Sequence, residues 1–339
     1  MTSIGVEPKQ EPADTVTLEA QAKRFIWLLQ NRKKSPGAPS TIATFRSALR
    51  RIFTILDADM PLSQVTNATL KELVAKAYEP RIIHKNGCMR RQQLKPASVQ
   101  QLALVFKLVV ASACSPVTGD RYFPIIWNEN FVDMPAVQKD QQKRSTLTRQ
   151  EIEMLCKIGG QEAVVYAFLA GSGLRISEMQ AVRVNGNNPQ SSWIPAESVV
   201  IVRNACFRNK ETGRTKTESG RRRVLLCSEL NRALIAFATR EQRKDGDFLF
   251  QSKDHGPVKG STLRDRLAKR IPGAAIHAFR RYRNSHLIAS RVLSGIVKSQ
   301  MGHSKGQDMS ELYNFQDETV CREQIEAASL GFSLEGIDA

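Results

Sequence analysis

A polar stretch without hydrophobic periodicity, at residues 136–147, separates two regions of helical pattern. Directly after it, Thr148 and Glu151 have the spacing of a capping box, which marks the start of a new helix. The length of 339 residues also exceeds what one hydrophobic core usually organises. We therefore predict two domains within five segments: a disordered tail at 1–16, a helical domain at 17–135, a linker at 136–147, a second domain at 148–316 and an acidic C-terminal tail or helix at 317–339.

Apolar residues at helical spacing predict that the first domain is a bundle of four or five helices. The predicted helices begin at Leu18, after Ser40 as an N-cap, and near residues 67 and 96. In the second domain, helical patterns at about 149–158, 161–171 and 174–183 precede two strand-like segments, Ser198–Arg203 and Arg222–Cys227, and further helices. The predicted fold class is mainly α with two domains, a helical bundle followed by a mixed α+β domain with a small antiparallel sheet.

Positive charge is concentrated in the middle of the chain. Lysine and arginine number 50 against 33 acidic residues, which gives a formal charge of +17. Residues 1–16 contribute −2 and residues 317–339 contribute −5, so the body between them carries +24. Such a body favours a polyanionic partner, nucleic acid before membrane, over an ordinary solvated surface. The arginines predicted to contact DNA are Arg46, Arg50, Arg90, Arg91, Arg214, Arg221 and Arg222.

The cysteines and the N-terminal segment indicate the cellular compartment of the protein. The six cysteines show no CxxC spacing and no neighbouring histidine pair, which is typical of thiols in a reducing compartment rather than of disulfides or a zinc site. The first 16 residues are polar and acidic and lack the apolar stretch of a signal peptide. We therefore expect a cytoplasmic, nucleoid-associated protein with no zinc site and no membrane partner.

The segment Gly171–Met179 combines a turn with the start of an amphipathic helix. Arg175 is predicted to lie in the first helical turn, where unpaired backbone N–H groups already favour a phosphate. Its guanidinium can hold two phosphate oxygens at once. Glu178, three residues later on the same face, can hold Arg175 or a neighbouring base in position. Taken alone, this pair would be an ordinary ion pair on a helix surface.

A basic segment between the two predicted strands, Arg214–Arg223, is predicted to form a hairpin that contacts the DNA backbone. A lysine near its tip suits proton delivery to a leaving group, because an ammonium group can lose its proton when it is desolvated. Lys216 is the candidate and Lys210 is the alternative. For either lysine alone, a plain phosphate contact explains the residue as well.

Three further segments carry candidate catalytic side chains. His277 and Arg280 are three residues apart on one helix face, where the imidazole can transfer a proton and the guanidinium can bind the same phosphate. Gly302 predicts a tight turn that presents His303. A capping-box-like pattern just before Tyr313 predicts a short helix that carries this tyrosine.

Together these side chains meet the needs of a phosphodiester transesterification that uses no metal. Two arginines balance the charge of the pentacoordinate phosphorus, histidines and a lysine transfer protons, and a tyrosine supplies the nucleophilic oxygen. The same segments contain no acidic cluster suited to magnesium, so covalent catalysis fits them better.

The ordered series of motifs resembles the active site of the tyrosine recombinase (phage integrase) family. The matching segments are Gly173-Leu-Arg-Ile-Ser-Glu178, Arg214-Thr-Lys-Thr217, His277-Ala-Phe-Arg280, Gly302-His-Ser304 and Tyr313. The layout is similar to that of the Cre/Xer-type site-specific recombinases, and the resemblance covers residues 17–316. The chain departs from the family pattern at Phe279, at Arg281-Tyr282 and in the ten-residue interval from His303 to Tyr313, which leaves Tyr282 as the alternative tyrosine.

The resemblance implies a fold, a reaction and a role for each matched residue. It implies a core-binding domain at 17–135, a catalytic domain with the tyrosine recombinase fold at 148–316, and DNA strand exchange through a 3′-phosphotyrosyl intermediate. The implied roles are a nucleophile for Tyr313, phosphate clamps for Arg175 and Arg280, a hydrogen bond to the phosphate for His303, proton transfer for His277, general acid for Lys216 and a supporting carboxylate for Glu178.

The resemblance also implies partners. These are a duplex DNA that carries a specific recombination site, a second protomer on that site, a tetramer in the synapsis, and accessory DNA-bending proteins as possible further partners. The C-terminal tail would dock either on a neighbouring protomer or on its own domain, and the sequence favours neither. Two other functions stay open: a type IB topoisomerase, which shares this chemistry but relaxes supercoils as a monomer, and a DNA-binding protein without catalytic activity.

Overall fold

The computed structural model describes residues 15–32, 36–85, 88–138, 146–187, 190–207, 210–212, 220–303 and 317–337. The chain divides into two compact units, residues 1–142 and residues 143–339. The boundary falls inside the segment in which the sequence predicts a linker. Each unit has its own hydrophobic core, and the two are described separately.

The first unit is built mainly from helices, as the spacing of its apolar residues predicts. These helices are α1 (Leu18–Gln30), α2 (Pro39–Ile52), α3 (Asn67–Tyr78), α4 (Pro96–Ala111) and the short α5 (Glu129–Val132). Their apolar faces form one buried core, whose fully buried members include Leu18, Ile52, Leu70 and Phe106.

The ends of these helices agree only in part with the sequence prediction. Thr17 caps α1 by accepting from the backbone N–H of Ala20 at 3.3 Å. The predicted N-cap at Ser40 is wrong, because α2 already begins at Pro39 and has no side-chain cap. Proline suits the first position of a helix, where its missing N–H would have no helical partner.

A two-stranded antiparallel hairpin, β1 (Arg81–Lys85) and β2 (Cys88–Gln92), lies between α3 and α4 in the chain. The sequence analysis assigns no strand to this segment. The two apolar residues whose exposure the structure describes, Ile82 and Met89, are 68% and 70% exposed. Exposed apolar residues do not give the alternation of buried and polar positions from which a strand is predicted.

The second unit surrounds a small sheet with helices. The helices are α6 (Arg149–Cys156), α7 (Gly160–Ser172), α8 (Ile176–Met179), α9 (Ser228–Arg240), α10 (Gly260–Arg270), α11 (His277–Ala289), α12 (Ser294–Met301) and α13 (Glu318–Ala328). The predicted capping box of α6 is confirmed: Thr148 Oγ1 accepts from the Glu151 N–H at 3.2 Å, and the Glu151 carboxylate accepts from the Thr148 N–H at 2.7 Å. No helix among the described residues has the length and apolar composition needed to span a bilayer.

The sheet of the second unit is mixed rather than antiparallel throughout. It contains β3 (Val182–Val184), β4 (Ser191–Ile194), β5 (Val199–Val202) and β8 (Arg222–Leu225) in that spatial order, and β6 (Ala205–Phe207) pairs separately with β7 (Lys210–Thr212). Strand β3 runs parallel to β4, whereas the other pairings are antiparallel. The strands predicted at Ser198–Arg203 and Arg222–Cys227 are confirmed as β5 and β8 with shorter bounds.

The helix predicted over 174–183 is wrong beyond Met179. Helix α8 ends there, and the chain continues as β3 from Val182. Val182 and Val184 are buried while Arg183 between them is only half-buried. This two-residue alternation is too short to compete, in the sequence alone, with the helical pattern that precedes it.

The C-terminal segment packs on its own unit. Leu330, Phe332 and Ile337 belong to the main core of this unit, and the Ser228 N–H donates to the Glu326 carboxylate of α13 at 2.8 Å. Of the two docking alternatives left open by the sequence, this structure contains the one within the same chain. The segment therefore supports the helices behind it, α11 in particular, where Arg283 donates to a backbone carbonyl of the segment.

Candidate active site

Arg175 lies at the N-cap of α8, one residue before its predicted place in the first turn. The turn that presents it depends on Gly173, which ends α7 with φ +68°, in the left-handed region that favours glycine. The Arg175 backbone N–H donates to Glu178 Oε2 at 3.0 Å, and Arg175 Nη1 donates to Glu178 Oε1 at 2.6 Å. The Arg175 side chain is 34% exposed, so an anion from outside can reach it.

Glu178 is shared between two arginines. Arg222, at the start of β8, donates from Nη2 to Glu178 Oε2 at 2.9 Å and from Nη1 to Oε1 at 3.3 Å, and both side chains are only 4% exposed. Burial by itself would raise the pKa of Glu178, but the hydrogen bond and charge of Arg222, followed by those of Arg175, outweigh burial and lower it. The carboxylate is therefore ionised at neutral pH.

This ion pair corrects the prediction for Arg222. A DNA contact requires free N–H groups on the guanidinium, whereas four of its five N–H groups donate to Glu178, Gly220 and Gln300. The neighbours along the chain differ: Arg221 is exposed, and Arg223 is 45% exposed and pairs with two surface carboxylates.

Arg280 ties three chain segments together. It lies on α11 with 4% of its surface exposed, Nη1 donates to the Gly173 carbonyl at 2.8 Å, and Nη2 donates to the Met301 carbonyl. Burial, and then the positive charge of Arg175, lower its pKa to about 10, so the guanidinium stays charged at neutral pH. Arg280, predicted to bind the phosphate, thus also fixes the turn before Arg175 and the end of α12 through these two hydrogen bonds.

His277 begins α11 and His303 follows α12, and both are exposed. Partial burial, and then the positive charge of Arg280, lower the pKa of each imidazole, and the charge of Arg175 acts on both in the same direction. The two histidines therefore lie in the field of the same two arginines. Both are neutral at neutral pH, so each ring can donate one hydrogen bond and accept another.

As predicted, Gly302 forms a tight turn before His303. It ends α12 with φ +58°, and the His303 N–H donates to the Lys298 carbonyl at 3.1 Å. A methyl group on Gly302 would lie 2.8 Å from Arg222 Nη1. Glycine is required here both for the backbone angle and for the close approach of the guanidinium.

The assembled cluster is strongly cationic. Arg175, Arg222 and Arg280 surround the single carboxylate of Glu178, with neutral imidazoles beside them. In the part of the chain that the structure describes, no three histidine, cysteine, aspartate or glutamate side chains form a group that could hold a metal ion. The chemistry that this arrangement suits is the binding of a phosphate or another oxyanion.

Several other predicted site residues lie outside the described residues or on other elements. Lys216, Arg214 and Tyr313 lie outside the residues that the structure describes. Lys210, the alternative to Lys216, begins strand β7, and Arg90 and Arg91 lie on strand β2. Arg46 and Arg50 are exposed on α2 and line an open groove of about 440 Å³ beside Trp27 of α1.

Tyr282, the alternative tyrosine, has a packing role. Its hydroxyl donates to the Gly331 carbonyl at 2.9 Å, its ring stacks on His286, and burial raises its pKa. His286 in turn donates from Nε2 to the Ala328 carbonyl at 2.8 Å. Both residues therefore join α11 to the C-terminal segment.

Sequence reasoning missed Gln300, which links α12 to the sheet. Its carbonyl accepts from Arg222 Nε at 2.9 Å, and its side-chain oxygen accepts from the Leu225 N–H at 3.1 Å. A glutamine near the end of a helix carries no pattern that distinguishes it from a surface residue. Its burial is a consequence of tertiary packing alone.

Several solved structures share this fold. The Tn1549 transposon integrase in complex with transposon right end DNA has a TM-score of 0.59 and 19% identity, over 92% of this chain and 99% of that chain. A lambda integrase dimer bound to a COC′ core site has a TM-score of 0.58 and 14% identity, over 92% of this chain and 95% of that chain. A lambda integrase tetramer bound to a Holliday junction has a TM-score of 0.56 and 14% identity, over 87% of this chain and 81% of that chain.

No protein-family model and no curated protein matches this sequence. The likeness to known proteins is therefore a likeness of fold at low sequence identity. The chain has the tyrosine recombinase fold that its motifs predict, shared with the Tn1549 and lambda integrases.

Proposed function

We propose that this protein is a site-specific DNA recombinase or integrase that cleaves and rejoins DNA strands through a 3′-phosphotyrosyl intermediate. The observation that carries the proposal is the cluster of Arg175, Arg280, His277 and His303, held in a fold shared with integrases whose structures contain DNA. The body charge of +24 supports a polyanionic substrate.

In the proposed first step, the phenol oxygen of Tyr313 attacks the scissile phosphorus. A phosphorus–oxygen bond to tyrosine forms, the bond to the 5′ oxygen breaks, and the 5′ oxygen leaves with a proton from Lys216. Arg175 and Arg280 stabilise the charge on the non-bridging oxygens, because preorganised cations need no reorganisation as that charge develops.

The lowered pKa values support the roles proposed for the histidines. A neutral His277 can take up a proton during the attack, and a neutral His303 can donate its N–H to a phosphate oxygen. Rejoining is the reverse step, in which a 5′-hydroxyl of the partner duplex attacks the phosphotyrosine and releases the phenol. The number and type of bonds are conserved, so the reaction requires no nucleotide cofactor.

The proposed assembly is one protomer pair on each recombination site and a tetramer when two sites meet. It is supported by the shared fold with lambda integrase, which was solved as a dimer on a core site and as a tetramer on a Holliday junction.

A trapping experiment tests the proposal and identifies the target site at the same time. Full-length protein is mixed with sheared DNA of the organism that carries its gene, the reaction is stopped with SDS, and DNA that stays attached to protein is sequenced. We expect a recurrent sequence, and we expect Tyr313→Phe to abolish the adduct while Tyr282→Phe retains it. An adduct formed by the Tyr313→Phe protein, or no adduct with the native protein, would contradict the proposal.

The same material separates recombination from the action of a type IB topoisomerase. A supercoiled plasmid that lacks the recovered sequence should stay supercoiled in the presence of the protein. Relaxation of that plasmid would favour the topoisomerase instead.

A further inference from the structure

Arg222 has a set of contacts that the proposed reaction does not use. Its guanidinium donates to both oxygens of Glu178, to the Gly220 carbonyl at 3.0 Å and to the Gln300 carbonyl at 2.9 Å. Four of the five N–H groups of this guanidinium therefore already donate within the protein, which leaves little of it for DNA. A buried arginine with four acceptors from three parts of the chain has a fixed position.

The first consequence concerns the turn that carries His303. Arg222 Nε and the Leu225 N–H hold Gln300 against β8, two residues before Gly302. Gly302 lies against the guanidinium so closely that a methyl group there would be 2.8 Å from Nη1. The direction in which the chain leaves α12 is therefore set by Arg222.

The second consequence concerns charge. Glu178 orients Arg175, but a single carboxylate paired with a single arginine would cancel the positive charge that a phosphate needs. Arg222 supplies a second positive charge to the same carboxylate, so the trio keeps a net charge of +1. Arg280 and His277 of α11 also interact with Glu178 electrostatically.

We propose that Arg222 is a positioning residue, which holds the Glu178 carboxylate in place and offsets its charge, so that Glu178 orients Arg175 toward a phosphodiester without neutralising it. That the anion is a phosphodiester rests on the proposed function. The contacts of Arg222 and their effect on any oxyanion bound in the cluster are independent of that function.

The test compares Arg222→Met with Arg223→Met. The two arginines are adjacent on β8, but Arg223 is 45% exposed and pairs with Glu197 and Glu318 at the surface, so its replacement removes the same charge without touching the site. Inorganic phosphate is the probe, and its binding is followed by the NMR signals of the His277 and His303 rings. We expect Arg222→Met to weaken phosphate binding by about tenfold, and Arg223→Met by less than about twofold, because exposed charges are screened.

A double variant separates positioning from general damage. In Arg222→Met with Glu178→Gln, one positive and one negative charge are removed together, so the net charge of the cluster returns to its native value. We expect this protein to bind phosphate within about threefold of the native protein and more tightly than Arg222→Met alone. It also leaves no unpaired buried charge, so it serves as the test if Arg222→Met does not fold.

A pH series gives a readout that a purely structural role would not change. In Arg222→Met, burial is no longer offset by Arg222, so the pKa of Glu178 rises and phosphate binding gains a pH dependence in addition to the one that His277, His303 and phosphate itself give the native protein. The double variant should lose that additional pH dependence, because an amide does not titrate. Equal binding by Arg222→Met and Arg223→Met, or a double variant no better than Arg222→Met, would overturn the inference.

These outcomes are independent of DNA cleavage. If the native protein forms no adduct with DNA but the phosphate series behaves as described, the proposed function fails and the role of Arg222 stands. If adducts form and the phosphate series shows no difference between the variants, the proposed function stands and the role of Arg222 fails.

Discussion

Gly302→Ala tests the close approach of the turn at Gly302 to the Arg222 guanidinium. The substitution places a methyl group in a residue with φ +58°, 2.8 Å from Arg222 Nη1 and 2.9 Å from its Cζ. The guanidinium cannot move away without loosening its bonds to Glu178 on the other side. We therefore expect a loss of stability larger than the backbone strain alone.

The expected magnitude has two parts. A non-glycine residue in the left-handed region costs about 1–2 kcal/mol. Loss of a hydrogen bond between charged groups costs about a further 1.5–3 kcal/mol. The free energy of unfolding of the second unit should therefore fall by about 2.5–5 kcal/mol.

Gly246→Ala and Gly273→Ala are the matched controls. Both glycines have positive φ, +84° and +82°, but a methyl group on either would meet nothing within 4 Å. They should show the backbone part alone, about 1–2 kcal/mol. The difference between Gly302→Ala and these controls measures the close approach to Arg222.

Tryptophan fluorescence gives the assay. The chain has three tryptophans, and Trp193 is the one in the second unit, where it is fully buried and donates from Nε1 to Asn231 Oδ1 at 2.9 Å. With Trp27→Phe and Trp127→Phe as a common background, urea unfolding followed at Trp193 reports on this unit only. If Gly302→Ala loses no more stability than Gly246→Ala, the close packing of the turn against Arg222 is refuted.

Three further outcomes are expected. Leu330→Ala should lower the free energy of unfolding by about 2–5 kcal/mol in the same assay, because Leu330 is fully buried. Val320→Ala, at a position 41% exposed, should change it by less than about 0.5 kcal/mol. Equal effects would mean that the C-terminal segment does not pack as described. The pKa values of His277, His286 and His303 are lowered by folding, so the unfolded chain takes up protons first and Tm should fall as the pH drops below about 6.5. A Tm that rises with acid would contradict the lowered pKa values of these rings. Binding to a 40-bp duplex of arbitrary sequence should weaken with salt by a log–log slope of about −0.9 for each phosphate neutralised, and a flat response would contradict the charge argument.

The three consecutive arginines 221–223 show where sequence reasoning stops. In the sequence nothing distinguishes Arg222 from its neighbours, and Arg221 and Arg222 are both predicted to contact DNA. In the structure, Arg222 is turned inward and its neighbours outward, because side chains on a strand alternate between faces. The inward position is stable only because Glu178, 44 residues earlier, supplies a buried carboxylate. No local pattern contains that information.

Helices are predicted well where burial is periodic. Helix α3 begins at residue 67, as predicted, and the capping box at Thr148 starts α6. Short elements without a periodic apolar pattern escape prediction, as the hairpin of β1 and β2 shows. The sequence also leaves open where the C-terminal segment packs, because its apolar residues suit a hydrophobic core in the same chain or in a neighbouring protomer.

The motif residues Arg175, His277, Arg280 and His303 can be chosen from the sequence because their chemistry and order are distinctive. Their mutual electrostatic coupling and the backbone acceptors of Arg280 cannot be predicted in this way. Those acceptors are carbonyls, which every residue has, so they leave no trace in the sequence.

The positions of the two Arg280 acceptors in the chain have a consequence for folding during synthesis. One carbonyl precedes the arginine by 107 residues and the other follows it by 21. The guanidinium can therefore make both hydrogen bonds only after both segments have been synthesised and folded. A chain still emerging from the ribosome, or a fragment cut by a protease anywhere between them, lacks a complete anion site. Incomplete products should therefore lack the anion site on which the proposed DNA cleavage depends.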